Sequence, residues 1–402
     1  MTASVVLHHK PLKERFATVA VFFANGFAIG AWAVEVPRVK DHLALSDTAL
    51  GIALFAFALG AIVAMPMAGR LAPRLGSGRA TALLGVLFIV TFPLPALAPS
   101  YPLLCVALLL FGATNGALDV SMNGHASAIE TEWRAPIMSS FHAAWSAGGL
   151  SGAAIGTLIQ RLGVGVAGGL LVPDVLVGVL IVGAALAALR AIGPRVEAAS
   201  AGFAMPSSAV MKLAALAFLC MMMEGAVADW SAVFLRSVLT RDPASAGLGY
   251  SAFALSMAAC RVVGDASVRR LGPSTVVSLG GLLAATGLAL VLGLPGVVTA
   301  VAGFALIGIG LANVVPVIFS AAGRSTPTPA VGVSMAATTG YAGFLVGPPV
   351  IGFGAGLFGL RLALCVLLLA ALVVALVGGK AVRGHALHAK AASPEEHSLD
   401  EC

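Results

Sequence analysis

Apolar runs of about 20 residues recur along the whole chain, and a soluble fold has nowhere to hide so many of them. Twelve can be drawn, at 15–36, 48–69, 80–99, 102–123, 138–160, 173–192, 210–235, 246–266, 274–293, 297–319, 331–353 and 361–378. Each is long enough to carry a helix across a hydrocarbon layer of about 30 Å. Composition agrees: 59% of the 402 residues are hydrophobic and 10% charged, with a mean hydropathy of +1.01. That is more apolar surface than a soluble core of this size conceals. The expected class is an all-α membrane protein with the lipid bilayer as its solvent.

The formal net charge of +6 does not point to nucleic acid, because the basic residues lie between the apolar runs rather than in one block. With the N-terminus placed in the cytoplasm, 17 of the 23 Lys and Arg fall inside, Arg261 and Arg324 among them. Arg38, Lys40, Arg161, Arg236, Arg241 and Arg361 fall outside, so both termini are expected to be cytoplasmic in a bacterial inner membrane. The first run follows Lys10, Lys13 and Arg15 like a signal peptide, but it is long enough to span and no small-residue cleavage pattern follows it. It reads as an uncleaved first helix. The five cysteines form neither a disulfide framework nor a metal cluster, and no phosphate-binding Gly-Lys loop occurs, so no cofactor or metal is expected.

The polar stretch from Gly193 to Ser208 divides the spans six and six. The implied organisation is a six-helix bundle at 1–192, a cytoplasmic linker at 193–209, a second bundle at 210–379 and a disordered tail at 380–402. Across the divide, Arg74-Leu75-Gly76 matches Arg270-Leu271-Gly272, Gly112 matches Gly308, Trp145 matches Tyr341 and Gly156 matches Gly352, always 196 residues apart. An even number of spans per copy makes this a parallel repeat.

Between spans two and three stands Gly69-Arg-Leu-Ala-Pro73-Arg74-Leu-Gly76-Ser-Gly-Arg79, and the second copy carries Gly264-Asp265-Ala-Ser-Val-Arg269-Arg270-Leu-Gly272. With twelve spans in two parallel halves, the chain resembles a major facilitator superfamily transporter, which implies that family's fold of two six-helix bundles. The resemblance makes Gly69, Arg74, Gly76, Arg79, Asp265, Arg269 and Arg270 a cytoplasmic gate loop. One departure is Pro73, which occupies the family's acidic position and cannot supply its charged latch. The stretches Asn25-Gly26-Phe27 through Trp32, Leu45-Ser46-Asp47, Asp119 to Asn123, Phe141-His142, Glu224-Gly225-Ala226 and Tyr341 to Pro349 look like a bacterial inner-membrane branch. That branch is distantly related to sugar and proton symporters of the fucose type.

Ionisable groups inside apolar spans are costly, about 2.5 to 3.5 kcal/mol for an Asp at mid-span, so they should face a protein interior or a water-filled path. Asn115, Asp119 and Asn123 share one helix face. Asp119 and His142 lie at matching depths, about five residues from the cytoplasmic ends of spans four and five, so a direct bond between them is expected. With Glu224 near the middle of span seven, they are the candidates for proton coupling or gating. Asn25, Trp32, Asn115, Trp145, Asn313 and Tyr341 are candidates for the substrate cavity, since amides and aromatic rings suit a polyol. Glu35 is expected to be solvated at the external end, and Asp229 to pair with Arg236.

Gly149-Leu150-Ser151-Gly152 matches the pattern of an intramembrane serine protease. His142 lies nine residues away on the same helix, about 13 Å by helical rise, and no other span as drawn holds a His. An enzyme is therefore not expected. The expected function is secondary active transport of a small polar, sugar-like solute, proton-coupled, by alternating access in a monomer. The alternatives are proton-driven efflux of an amphipathic compound and a membrane sensor that carries nothing.

Overall fold

The computed structural model of the chain describes residues 11–45, 47–187, 207–235 and 248–383, where all regular structure is helical. The first half contains α1 (Leu12–His42), α2 (Asp47–Leu75), α3 (Ser77–Thr91), the short α4 (Leu94–Leu97), α5 (Tyr101–Trp133), α6 (Met138–Arg161) and α7 (Val166–Ala187). The second contains α8 (Ser208–Phe234), α9 (Leu248–Val262), α10 (Gly264–Leu271), α11 (Pro273–Gly293), α12 (Val297–Leu311) and α13 (Val314–Arg324). It closes with α14 (Pro329–Phe358), α15 (Leu360–Ala363) and α16 (Cys365–Val373), which runs into a π turn at Val374–Gly378.

Among the described residues ten stretches are long and apolar enough to cross a membrane, and α9 with α10, bent by 62°, makes an eleventh. The twelfth crossing is α6. Its 24 residues are long enough, but His142, Ser146, Ser151 and Gln160 dilute its apolar character. Large apolar side chains such as Leu186, Val298, Phe353 and Leu357 stand more than three-quarters exposed on the outside, where acyl chains would cover them. Most of the linker expected at 193–209 and of the tail at 380–402 lies outside the described residues, as do Arg236 and Arg241. Residues 380–383 continue the last helix.

Because successive spans reverse direction, the start of α1, the α2–α3 turn, the α5–α6 turn, α10 and the α13–α14 turn gather at one end, here called proximal. Within the halves, α1 lies along α6 and α2 along α5, while α8 lies along α14 and α9 along α12. Glycine makes these approaches possible. A Cβ at Gly112 would collide with the Phe57 carbonyl, and one at Gly308 with the Phe253 carbonyl. Both members of the second pair stand at the repeat offset from the first, so the duplication repeats packing as well as sequence.

The offset is not constant. Gly148 and Gly152 abut the carbonyls of Phe23 and Phe27, and their counterparts Gly343 and Gly347 abut those of Phe218 and Met222, one position short of that offset. The pairs Gly156–Val34 and Gly352–Trp230 return to it. Where backbone meets backbone in α8 and α14, the register is therefore one position short of the offset. Trp145 and Tyr341 are accordingly not strict counterparts, which corrects the uniform register read from the sequence.

Three further expectations change. Span four runs on to Trp133, so Asp119 sits fourteen residues before the end of α5 rather than about five, and buried His125 belongs to the same helix. His125 Nδ1 is 2.8 Å from Ser77 Oγ. Glu35 is fully buried instead of solvated, paired with Arg38 at 2.9 Å and accepting from Gln160 Nε2 at 3.2 Å. Arg261, counted among the cytoplasmic charges, is instead buried inside the protein.

Candidate functional site

Two interrupted helices build the centre of the molecule. Pro316, on the first turn of α13, has no N–H, so the Ala312 carbonyl four residues earlier is left without its helical donor. Arg261 Nε donates to that carbonyl at 3.1 Å. The bend after α9 likewise frees terminal carbonyls, and Asn313 Nδ2 donates to Cys260 O at 3.1 Å. Each break is thus closed by a side chain from the other, and Arg261 is fixed with part of its guanidinium unspent.

That guanidinium borders a cavity of about 180 Å³. The first half contributes Asp119, Met122, His142 and Trp145, and the second contributes Glu224, Arg261, Tyr341 and Phe344. Arg261 Nη1 donates to Ser146 Oγ at 2.9 Å, joining α9 to α6 across the two halves. Its Nη2 stands 3.9 Å from Glu224 Oε2, and Glu224 Oε1 is buried with no hydrogen-bond partner among the described residues.

Asp119 and His142 are linked through Asn123, and the direct bond expected from the sequence is replaced by this bridge. Asn123 Nδ2 donates to Asp119 Oδ1 at 3.2 Å, and Asn123 Oδ1 lies 3.2 Å from His142 Nε2. An amide that donates to the carboxylate presents its oxygen to the ring, so His142 carries its proton on Nε2. Asn123 sits one turn after Asp119, a spacing that put it on the right face in the sequence without showing that it spans two helices.

The other cavity candidates separate into lining and support. Trp145 Nε1 donates to Asn25 Oδ1 at 2.9 Å, and Asn25 Nδ2 donates to Asn115 Oδ1 at 2.9 Å. Asn25 and Asn115 are buried behind the indole and hold it in place. Trp32 packs edge-on against Phe111, with centroids 6.4 Å apart, away from the cavity. Asn313 is spent on the helix break.

At the proximal end the halves are in contact. Asp265 Oδ1 accepts the Ser140 N–H at 3.1 Å, and Arg269 Nη1 donates to Pro136 O at 3.4 Å. Glu130 Oε2 accepts the N–H groups of Ile137 and Met138 at 2.9 and 2.8 Å, while Oε1 accepts from Arg324 Nη1 at 2.9 Å and from Ser320 Oγ. Gly69 lies against Ser334, whose Oγ donates to Met65 O at 2.9 Å, and Gly124 lies against Ala330. Arg74, Arg79 and Arg270 are exposed, and Gly76 and Gly272 take matching positive φ values of 85° and 79° at the repeated turn. Glu130, Ser320 and Arg324 escaped the sequence reading, which placed Glu130 beyond the end of its span and counted Arg324 as a loop charge. A hollow of about 760 Å³ lies beside these contacts, bordered by Glu130, Arg134, Asp265 and Arg269.

Comparison with known proteins places this arrangement. The Major Facilitator Superfamily profile matches residues 17–222. An uncharacterized MFS-type transporter of Yersinia pestis is 36% identical over 366 residues, covering 90% of this chain and 95% of that protein. MosC, a membrane protein of Rhizobium meliloti, is 36% identical over 381 residues, covering 92% and 91%. Among solved structures, the Escherichia coli fucose:proton symporter FucP superposes with a TM-score of 0.74 at 16% identity, covering 94% of this chain and 99% of that one. The proton:xylose symporter XylE gives a TM-score of 0.71 at 13% identity, covering 93% and 96%. Identities as low as those of the two symporters show a shared fold, whereas the two bacterial relatives at 36% show kinship, and the family match with the transporter-named relative shows a membrane transporter rather than an enzyme. On these grounds the chain belongs to the major facilitator superfamily.

Proposed function

We propose that the protein is a proton-coupled secondary transporter of a small, polar, sugar-like solute, working by alternating access between bundles 1–192 and 210–379. The observation that carries this reading is the meeting of Asp119, His142, Glu224 and Arg261, drawn from both halves, on one cavity above a joined proximal end. The proximal end is the cytoplasmic one, with both termini there in a bacterial inner membrane, and the described conformation is closed toward the cytoplasm. The protein works as a monomer. A volume of about 180 Å³ favours a small solute over a drug-sized amphipath, whose pockets run to about 300–1,000 Å³.

Asp119 is the proton carrier in this scheme. Its carboxylate is held by Asn123 alone among the described residues, so protonation changes one short chain ending at His142 rather than an ion pair. Solute and proton drive transport only through their different affinities for the two states. The test is internal pH in proteoliposomes on adding neutral sugars, sugar acids and cationic drugs to wild type and Asp119→Asn. A solute-dependent proton movement in wild type, reduced at least about ten-fold in the variant, is expected. Full proton movement in the variant would remove Asp119 from the role, and solute binding without flux in either protein would favour a sensor.

A further inference from the structure

We infer that Arg261 and Glu224 form an open pair completed by a hydroxyl of the solute, and that this pair selects uncharged polyhydroxylated solutes over their acidic and amino relatives. The inference rests on the transport reading above for its substrate, and names the residues that recognise it.

The geometry leaves one opening. Nη2 and Oε2 are 3.9 Å apart, beyond direct hydrogen-bond reach. An oxygen placed about 2.8 Å from both closes that triangle. A hydroxyl is the group that suits it, since it accepts from the guanidinium and donates to the carboxylate at once. Glu224 Oε1, buried and without a partner among the described residues, is an acceptor for a second, neighbouring hydroxyl. A vicinal diol therefore satisfies three atoms that the protein alone leaves incomplete. Trp145, fixed through Asn25, and Tyr341 supply flat faces for a ring on the same cavity.

Charge on the solute spoils the fit in either sense. Arg261 cannot withdraw from a cation, because Nε is held by Ala312 O and Nη1 by Ser146 Oγ. An acidic solute meets two carboxylates, Asp119 and Glu224, around a single guanidinium that Glu224 already offsets. Arg261→Lys keeps the charge but loses the planar fork that makes both anchoring bonds and still reaches the diol.

The test is titration calorimetry on the purified full-length protein with L-fucose, D-glucose, D-glucuronate and D-glucosamine, followed by deoxy forms of the sugar that binds. At least one neutral sugar is expected to bind, D-glucuronate and D-glucosamine at least about ten-fold more weakly than D-glucose, and one deoxy form to lose about ten-fold. Arg261→Lys and Glu224→Gln are each expected to weaken the neutral sugar about ten-fold, with the discrimination against charged forms reduced. Tighter binding of either charged sugar, heat from none of the four, or unchanged affinity in both variants would overturn the assignment. The two failures are separable: coupled flux of a sugar that both variants bind unchanged sinks the pair and leaves transport standing. Selective binding that both variants lose, without flux, sinks transport and leaves the pair.

Discussion

The proximal contact has two seams made by the same repeated architecture with different chemistry. Where the second half meets the first turn of α6, polar groups carry the contact: Asp265 on Ser140 N–H, Arg269 on Pro136 O, and Glu130 joining its own turn to Arg324 and Ser320. Where the first half meets α14, small residues carry it: Gly69 against Ser334 and Gly124 against Ala330, with Ser334 Oγ on Met65 O as a supporting bond. Gly264 packs against Ser139 as Gly69 packs against Ser334, and the second copy adds beside it the carboxylate of Asp265, which reaches across to the Ser140 N–H. Duplication has preserved where the backbones approach and left the means of adhesion to diverge. A packed seam resists intrusion of volume, whereas a polar one resists loss of charge.

The largest effect is expected on the packed seam. Gly124→Leu adds a side chain where even a Cβ comes 2.8 Å from the Ala330 Cα. Overpacking of this kind costs about 1–3 kcal/mol, and here the cost falls on the closed arrangement alone. With Ser127→Cys as a buried reporter in a cysteine-free background, thiol labelling should rise about ten-fold or more. Unchanged labelling would mean the seam is softer than its geometry.

A smaller effect is expected on the polar seam. Glu130→Gln keeps an acceptor for the α6 N–H groups and removes the charge that holds Arg324. Arg324 is 38% exposed, so solvent screens the pair and about 1 kcal/mol is the expected loss, close to five-fold in the same labelling rate. High salt should mimic this variant and leave Gly124→Leu unaffected; equal salt sensitivity in both would erase the distinction between the seams.

The smallest effect, and of opposite sign, is expected from giving the packed seam a charge. Pro73 corresponds to Arg269, which reaches the Pro136 carbonyl beside α6, so Pro73→Asp directs a carboxylate toward the first turn of α14. Anions at a helix N-terminus gain about 0.3–1 kcal/mol, so labelling should slow about two- to five-fold at most. Labelling that stays the same or quickens would show that the two seams cannot exchange chemistry.

Much of this was legible in the sequence because lipid imposes simple rules. Run length gave the crossings, and polar residues inside runs pointed to Asp119, His142, Glu224 and Trp145, which share the cavity. What could not be read depends on helices that stop obeying a period. Arg261 was counted with the cytoplasmic charges because nothing local says that Pro316 will free a carbonyl for it. Glu130 was lost because α5 continues as a helix beyond its apolar stretch, and Glu35 because Gln160, which covers it beside its own-helix neighbour Arg38, comes from α6. The one-position slip in the repeat was invisible to sequence identity and appears only where glycines touch carbonyls.

The polar character of α6 has a consequence for how the chain is made. Among the described crossings it is the least apolar, and it is packed closely along α1, where Gly26 and Gly30 receive the carbonyls of Trp145 and Gly149 while Gly148 and Gly152 receive those of Phe23 and Phe27. The ribosome delivers α1 first and α6 about a hundred residues later. During that interval α1 carries an unfilled glycine groove and an unpaired Asn25. A nascent chain halted before α6 should therefore hold α1 at the translocon or with an insertion chaperone, and release it only when α6 arrives to zip against it.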